Sequence, residues 1–209
     1  MKKLFKLIQL YYRLTFDQDS FFLHYGFLKS IKNGKPQDKN GNALPWMSYA
    51  ILDFFEERLN DNITFFEYGL GFSTLYFSER VKSVKSIEHD KSWFENIKSS
   101  LDNKKNVDIQ LEDLDNGYEE AIKKISEKYD MILIDGRKRV QCAINSFDNL
   151  SEIGVLILDD SHRPYYKGAF EFYESKGFKK LTFSGIAPTS FRRASSTIFY
   201  RAGSNCLDI

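Results

Sequence analysis

Hydrophobic and polar positions along the chain follow two alternating periods from about residue 63 onwards. Short apolar runs that suit β-strands are followed by stretches in which apolar residues recur at helical spacing. This pattern predicts seven strands, at residues 63–69, 83–90, 107–113, 130–136, 154–160, 178–185 and 195–202. Helices are predicted at residues 73–81, 91–101, 116–129, 139–150 and 166–177. Only a loop separates the last two strands.

The order of these elements defines the fold class. Strands that alternate with helices form a parallel sheet with helices on both faces. The runs MILI at 131–134 and VLILD at 155–159 are apolar almost throughout, as in central strands that are buried on both faces. The last two strands, with no helix between them, are expected to form an antiparallel edge pair. The sequence therefore predicts an α/β fold with a doubly wound, mostly parallel, seven-stranded sheet.

Local signals mark the start of two helices. Asn116, followed three residues later by Glu119, predicts a capping box at the start of helix 116–129. Ser48 precedes a further helical pattern at residues 48–59. Residues 32–46, before it, are rich in Gly, Pro and Asn, which predicts a loop.

The first residues carry a separate amphipathic pattern. Apolar residues at helical spacing face one side and basic residues the other: Leu4, Leu7, Ile8, Tyr11 and Leu14 against Lys3, Lys6 and Arg13. One hypothesis is a helix that packs on the domain or in a homodimer. The other is peripheral contact with an anionic membrane surface. We therefore divide the chain into an N-terminal helix and loop extension, residues 1–43, and a domain, residues 44–209.

Composition limits the classes of function. The 209 residues fit one domain, and a net charge of +1 gives no electrostatic footprint for nucleic acid, so no nucleic-acid partner is expected. Cys142 and Cys206 lie far apart and outside any CxxC motif, which predicts neither a disulfide framework nor a zinc site. Neither a signal peptide nor a membrane-spanning run is recognised. A cytoplasmic location is expected.

The stretch FEYGLGFSTLYF, residues 66–77, joins the first strand of the domain to the next helix. Gly69 and Gly71 allow a tight turn and let a ligand approach the backbone. In a doubly wound sheet, ligands bind at the carboxyl ends of the strands. The turn is therefore predicted to form part of a ligand site, where Ser73 and Thr74 either contact the ligand or cap the helix.

Two classes of ligand are considered for this turn. A dinucleotide would suit a GxGxxG fingerprint, but Thr74 holds the place of the third glycine. Glu67 would also place a negative charge near a pyrophosphate, which favours a cationic ligand without phosphates, such as S-adenosylmethionine. Glu88 ends the second strand, 19 positions after Gly69, where a carboxylate can accept both ribose hydroxyls of an adenosine.

Longer stretches carry a family resemblance. FFEYGLGFSTLYFSERVKSVKSIEHDKSWFENI resembles the cofactor-binding half of class I S-adenosylmethionine-dependent methyltransferases. The order of elements from about residue 44 to 201 is similar to that Rossmann-like fold. A bacterial subgroup of the family is similar to PWMSYAILDFFEERL, DGRKRVQCAINSF, LDDSHRPYYKGAFEFYESKGF and TIFYR. The first helix and the loop to residue 39 lie outside the resemblance.

The resemblance implies positions for the cofactor. The implied contacts are the methionyl group at Glu67, Gly69 and Gly71, the ribose at Glu88, the adenine at Asp113 and Leu114, and the sulfonium at Asp135. Glu67 would act directly or through water. An alternative role for Asp113 is a helix or turn cap.

Polar residues after the fourth and fifth strands are candidates for the chemistry. Methyl transfer needs aligned reactants and the exclusion of water. In the favoured hypothesis, His162 or Asp160 takes a proton from the acceptor while Arg137 orients it and Asp135 faces the reacting group. In the other, Asp135, Asp159 and Asp160 hold Mg²⁺, which lowers the pKa of an acceptor hydroxyl. No resident metal is expected under the favoured hypothesis.

The combined prediction is an S-adenosylmethionine-dependent methyltransferase that acts on O or N of a small-molecule or carbohydrate-like acceptor. An acidic or phosphorylated acceptor is expected if Arg137, Arg139 and Arg163 face the pocket. Arg192 and Arg193, in the last loop, either reach over the pocket or are solvated. Two alternatives stay open, an NAD(P)-type oxidoreductase and a non-catalytic protein that binds S-adenosylmethionine.

Overall fold

The computed structural model describes residues 2–17 and 19–209. Its strands are β1 Thr64–Tyr68, β2 Ser83–Glu88, β3 Val107–Leu111, β4 Tyr129–Ile134, β5 Leu150–Leu158, β6 Lys179–Ala187 and β7 Ser190–Tyr200. Its α-helices are α1 Lys2–Phe16, α2 Phe21–His24, α3 Phe27–Asn33, α4 Tyr49–Glu56, α5 Phe72–Ser78, α6 Lys91–Lys98, α7 Arg139–Asn145 and α8 Lys167–Ser175. Short 3₁₀ segments occur at Tyr118–Lys124, Phe147–Asn149 and Pro164–Tyr166.

The strands form one sheet in the order β3-β2-β1-β4-β5-β7-β6. β1 to β5 pair in parallel, and β7 is antiparallel to both of its neighbours. The predicted α/β fold and the antiparallel edge pair are therefore confirmed. The chain order reverses at β1, because β2 lies on one side of it and β4 on the other. A crevice is expected at the carboxyl ends of strands that diverge in this way.

The side chains of a central strand divide between two cores, one on each face of the sheet. In β4, Met131 and Leu133 belong to the core that includes α4 and α5, whereas Ile132 and Ile134 belong to the core of α7 and α8. All four side chains are fully buried. This burial on both faces explains why the run MILI contains no polar position.

The predicted capping box at Asn116 and Glu119 is wrong. The segment forms a 3₁₀ helix, Tyr118–Lys124, that follows Gly117 in a left-handed conformation with φ of +93°. The Glu119 carboxylate instead accepts hydrogen bonds from Lys138 Nζ at 2.8 and 3.0 Å. A tertiary ion pair therefore replaces the local cap on which the prediction rested.

The loop predicted between the last two strands is a tight hairpin. β6 and β7 are paired up to Ala187 and Ser190, and Thr189 in the turn has φ of +64°. The indole Nε1 of Trp46 donates a hydrogen bond to Thr189 Oγ1 at 2.9 Å, which ties the turn to the segment before α4. Arg192 therefore lies on β7 and not in a loop.

The N-terminal segment has two parts with different burial. α1 has no buried residue, so the hypothesis that it packs on the domain is not supported. α2 and α3, which the sequence pattern missed, bring the fully buried Phe27 into the same core as Met47 and Tyr49. The boundary at residue 44 stays a prediction. The described helices include none whose length and apolar character would suit a membrane crossing.

Candidate functional site

A cavity of about 690 Å³ lies at the carboxyl ends of β1, β2, β4 and β5, beside the β6–β7 hairpin. The predicted site residues that line it are Gly69, Gly71, Ser73, Glu88, Asp135, Arg137, Asp159, Asp160 and His162. The remaining predicted cofactor contacts, which do not form its wall, are Glu67, Thr74, Asp113 and Leu114. The fold therefore brings most of the predicted residues together at one edge of the sheet.

The floor of the cavity depends on two facing glycines. Gly69 ends β1 with φ of +109°, and a Cβ there would lie 3.0 Å from the backbone nitrogen of Gly136. A Cβ on Gly136 would collide with the Tyr118 hydroxyl. The absence of both side chains lets the ends of β1 and β4 approach each other closely. Sequence reasoning missed Gly136, although Asp-Gly after a strand is a turn signal.

Gly71 differs from Gly69, because its φ of 178° is extended backbone that any residue adopts. A Cβ there would lie 3.8 Å from the Trp93 ring, with no other residue of the described chain within 4 Å. Trp93 donates its indole N–H to the Leu70 carbonyl at 2.6 Å, and the rings of Trp46 and Phe72 lie beside it. Gly71 thus leaves open space next to an aromatic wall, which consists of Trp46, Phe72 and Trp93.

Glu67 is fully buried beneath the turn, where hydroxyl groups surround its carboxylate. Ser73 and Ser86 each donate a hydrogen bond to it at 2.6 Å, and Thr74 Oγ1 donates a third. Thr74 Oγ1 also accepts the backbone N–H of Gly71 at 2.9 Å. The threonine at the third glycine position therefore links the turn to Glu67. Contact between Glu67 and a cofactor stays a prediction.

Burial dominates the electrostatics of Glu67. The loss of hydration raises its pKa from 4.5 to about 7, and the three hydroxyl donors offset only part of this rise. The Glu88 carboxylate raises the pKa further. Because the folded protein holds this proton more tightly than the unfolded chain, the free energy of unfolding should fall as the pH rises from about 4.5 to 7.

Glu67→Gln removes this titration. We expect the free energy of unfolding of the wild type, relative to that of the variant, to decrease by about 2 to 3 kcal/mol between pH 5 and pH 8. Urea unfolding of both proteins at the two pH values measures the difference. Glu95→Gln, at an exposed position on α6, is the control and should show no such change. Parallel stability profiles for wild type and Glu67→Gln would contradict the assignment.

Glu88 ends β2, is only 4% exposed and forms part of the cavity wall. Its Oε1 accepts the backbone N–H groups of His89 at 2.7 Å and Asp90 at 2.8 Å. Among the described residues, every hydrogen bond to this carboxylate goes to Oε1. Oε2 is therefore available to a hydroxyl group of a ligand, as the sequence predicts for a ribose.

Asp113 lies outside this arrangement. Its Oδ1 accepts the backbone N–H of Asp115 at 2.8 Å, and its carbonyl accepts that of Asn116 at 3.2 Å. Leu114 packs against the core of α7 and α8. The geometry therefore favours the turn cap for Asp113, and the adenine contacts stay a prediction.

Arg139, the first residue of α7, ties the ends of β4 and β5 together. Its Nη2 donates to Asp135 Oδ1 at 2.8 Å and to the Asp135 carbonyl at 2.9 Å. Nε donates to the Gly136 carbonyl at 3.0 Å, and Nη1 donates to the Asp159 carbonyl at 2.7 Å. With a side chain only 11% exposed, Arg139 is a buried cation that four acceptors hold in place.

Asp135 and Asp159 form a carboxyl pair on the cavity floor. Burial raises the pKa of Asp135, and the Arg139 guanidinium offsets part of the rise. Burial and then the Asp135 carboxylate raise the pKa of Asp159 well above its usual value. Two adjacent negative charges are unfavourable in a buried site, so a single proton on the pair is favoured over two ionised carboxylates. The pair therefore keeps a proton at higher pH than an isolated aspartate.

The magnesium hypothesis does not fit this geometry. Arg139 Nη2 lies 2.8 Å from Asp135, and Nη1 lies 3.7 Å from Asp159 and 3.6 Å from Asp160. The guanidinium thus occupies the position between the carboxylates that an ion would need. Across residues 2–17 and 19–209, no group of three His, Cys, Asp or Glu side chains is arranged to hold a metal ion.

Exposed basic side chains form the outer wall of the cavity. They are Arg137, His162, Arg163, Arg192 and Arg193. Arg163 lies 2.5 Å from the carboxylate of Asp160, whose φ of +54° is in the left-handed region that aspartate tolerates. Asp160 is therefore already ion-paired, whereas His162 is exposed beside it. This basic wall, defined by the five residues named above, faces the acidic floor.

Comparison with known proteins identifies the fold. No protein-family model and no curated protein sequence matches the chain. Among solved structures, precorrin-6Y C5,15-methyltransferase from Geobacter metallireducens is similar with a TM-score of 0.58 and 14% identity, over 82% of this chain and 96% of the other. For precorrin 8W decarboxylase from Methanobacterium thermoautotrophicum, the TM-score is 0.56 and the identity 18%, over 73% and 88% of the two chains.

A third similar structure contains the cofactor that the sequence predicts. Fibrillarin from Aeropyrum pernix, with natively bound S-adenosyl-L-methionine, has a TM-score of 0.55 and 14% identity, over 73% of this chain and 76% of fibrillarin. Together with the strand order, these similarities show that the chain has the class I S-adenosylmethionine-dependent methyltransferase fold. Sequence identities this low show the fold alone.

Proposed function

We propose that this chain is an S-adenosylmethionine-dependent methyltransferase that modifies O or N of a small-molecule or carbohydrate-like acceptor. One observation carries the proposal. In a cavity at the strand ends of a methyltransferase fold, Gly71 leaves room beside the aromatic wall and Glu88 presents Oε2 to a ligand hydroxyl. The cofactor would supply a methyl group that is activated by a sulfonium charge.

The charges of the floor suit a cationic nucleoside. Glu88 and Asp90 line the cavity, and carboxylates so placed would repel a pyrophosphate. The N–H of Gly71, which could otherwise face a phosphate, is already bonded to a threonine hydroxyl. The antiparallel β7, which lies between β5 and β6, also departs from the strand order 3-2-1-4-5-6 of dinucleotide-binding sheets. The NAD(P)-type oxidoreductase therefore has less support.

The acceptor would bind at the basic wall. Arg137 is exposed at the cavity and is placed to orient an anionic group, such as a carboxylate or a phosphate. His162 is the side chain we assign to accept a proton, because Asp160 is held by Arg163 and Asp135 by Arg139. Asp135 would face the positive end of the cofactor. The near-neutral net charge favours a small acceptor over a nucleic acid.

Titration calorimetry with S-adenosylhomocysteine, and with NAD in parallel, tests the cofactor. Saturable binding of the first ligand alone is expected, and binding of NAD alone would overturn the proposal. A transfer assay with labelled S-adenosylmethionine then separates an enzyme from a non-catalytic binding protein. Acidic and phosphorylated sugars should accept label in preference to their neutral counterparts. A cytoplasmic location belongs to the same proposal.

Glu88→Gln should weaken the binding of S-adenosylhomocysteine by about 1 to 3 kcal/mol, because a buried charged acceptor for hydroxyl groups is lost. Calorimetry at constant pH measures the change. Glu112→Gln is a matched control, since Glu112 directly follows β3 but does not line the cavity. Equal affinities for wild type and Glu88→Gln would remove Glu88 from the cofactor site.

A further inference from the structure

α1 presents an apolar surface that the rest of the described chain does not cover. Its large apolar side chains are between 38% and 64% exposed. They are Leu4, Phe5, Leu7, Ile8, Leu10, Tyr11, Tyr12, Leu14 and Phe16. At 3.6 residues per turn, Lys2, Lys6, Gln9 and Arg13 share a sector of about 60°, and Lys3 lies about 60° beyond it. Most of the remaining circumference is apolar. A helix of this kind needs an apolar environment.

The charges of α1 indicate which environment that is. The helix contains Lys2, Lys3, Lys6 and Arg13 and no acidic residue. The whole chain carries +1, so the residues outside α1 together carry −3. In a pair of α1 helices, the cations of one copy would repel those of the other, whereas anionic headgroups would complement them. Charge complementarity therefore favours an anionic lipid surface over a helix of a second copy.

The length of α1 suits a helix that lies along a bilayer. Its 15 residues extend over about 22 Å, which is less than the roughly 30 Å of a hydrocarbon core. Phe5, Tyr11, Tyr12 and Phe16 are aromatic residues of the type found at the boundary between headgroups and acyl chains. The narrow basic sector would face the headgroups while the apolar sector enters the lipid.

α1 is connected to the part of the domain that borders the cavity. The Ser20 hydroxyl donates to the Leu14 carbonyl at 2.7 Å, which joins the end of α1 to the start of α2. Phe27 of α3 packs against Phe191 of β7 with ring centroids 5.0 Å apart. Phe191 directly precedes Arg192 of the basic wall. The segment that carries α1 thus packs against the hairpin at the cavity.

We infer that α1 attaches the protein to the surface of a bilayer that contains anionic phospholipids. The attachment rests on α1 alone and does not depend on the proposed methyl transfer. It would keep the basic wall within reach of acceptors that reside at the same surface.

Vesicle co-sedimentation of the full chain tests the inference, with phosphatidylcholine vesicles that contain or lack phosphatidylglycerol. Wild type should bind the anionic vesicles, and Lys6→Glu with Arg13→Glu should reduce the affinity at least about tenfold. Leu4→Ser with Ile8→Ser should also reduce binding, because apolar area is lost. Lys82→Glu with Lys105→Glu, at exposed positions outside α1, is the control of equal charge and should bind like wild type.

Wild type that stays in solution with both kinds of vesicle would overturn the inference, as would unchanged binding by Lys6→Glu with Arg13→Glu. A dimer that Leu4→Ser with Ile8→Ser dissociates, together with no vesicle binding, would identify a second copy as the occupant. Calorimetry with S-adenosylhomocysteine is independent of these outcomes. All variants should keep wild-type affinity there, since α1 does not line the cavity.

Discussion

Arg139→Met is expected to lower the free energy of unfolding by about 3 to 5 kcal/mol at neutral pH. Methionine replaces the aliphatic stem of arginine but not its guanidinium, so the substitution removes the charge and the donors while it keeps the packing of the stem. It leaves Asp135 and Asp159 next to each other without the cation, and three backbone carbonyls lose a donor. Urea unfolding measures the loss.

The loss at Arg139 should depend on pH. The guanidinium offsets part of the rise in the pKa of both Asp135 and Asp159, so its removal raises both pKa values further. The folded variant then binds protons more tightly than the folded wild type. Its stability should fall more steeply with rising pH, and the deficit should be larger at pH 8 than at pH 5.

Lys138→Met is the matched control for Arg139→Met. Lys138 precedes Arg139 and also forms an ion pair, but its partner Glu119 and its own side chain are both partly exposed. Ion pairs that water screens contribute little to stability, so this control should leave the free energy of unfolding almost unchanged. Equal losses for the two variants would show that Arg139 is an ordinary surface cation and not the link between the strand ends.

Gly71→Val is expected to reduce the affinity for S-adenosylhomocysteine at least about 100-fold, which corresponds to about 2.7 kcal/mol. The backbone at Gly71 is extended, and a Cβ would meet only the Trp93 ring at ordinary contact distance. The fold should therefore accept the new side chain. Its methyl groups would fill space beside the aromatic wall that the cofactor needs.

Gly185→Val on β6 is the control for Gly71→Val. A Cβ at Gly185 would make an ordinary contact of 3.6 Å with Ser48, and Gly185 does not line the cavity. This variant should fold and bind like wild type, as circular dichroism and calorimetry can show. A folded Gly71→Val protein that binds S-adenosylhomocysteine normally would contradict the role of the turn.

Local patterns predicted the sheet because its central strands are constrained on both faces. A run such as MILI has no polar position only where both faces are buried, and the structure confirms that burial. The same local logic failed at Asn116 and Glu119. There the sequence fits the capping-box pattern, but in the folded chain the Glu119 carboxylate accepts a hydrogen bond from Lys138 and caps no helix. A local signal cannot represent a partner that lies 19 residues away.

Sequence reasoning could place the candidate site residues at strand ends, but it could not say which of them face the cavity. Strand ends are recognisable from sequence, so Glu67, Glu88 and Asp135 could all be assigned to one edge of the sheet. Sequence alone did not distinguish a carboxylate that faces the cavity, as Glu88 does, from one that is buried under hydroxyl groups, as Glu67 is. Sequence alone also did not distinguish Arg139, which links the ends of β4 and β5, from the other basic residues after the fourth and fifth strands.

The sequence by itself determined the α/β class, the antiparallel edge pair and the sheet edge at which the cavity lies, because periodicity and the order of elements are properties of the chain. The tertiary structure decided that Arg139 holds the ends of β4 and β5, that Thr74 links the turn to Glu67, and that α1 remains exposed. These features depend on groups that meet across elements, and only the packing of the folded chain specifies which of them meet.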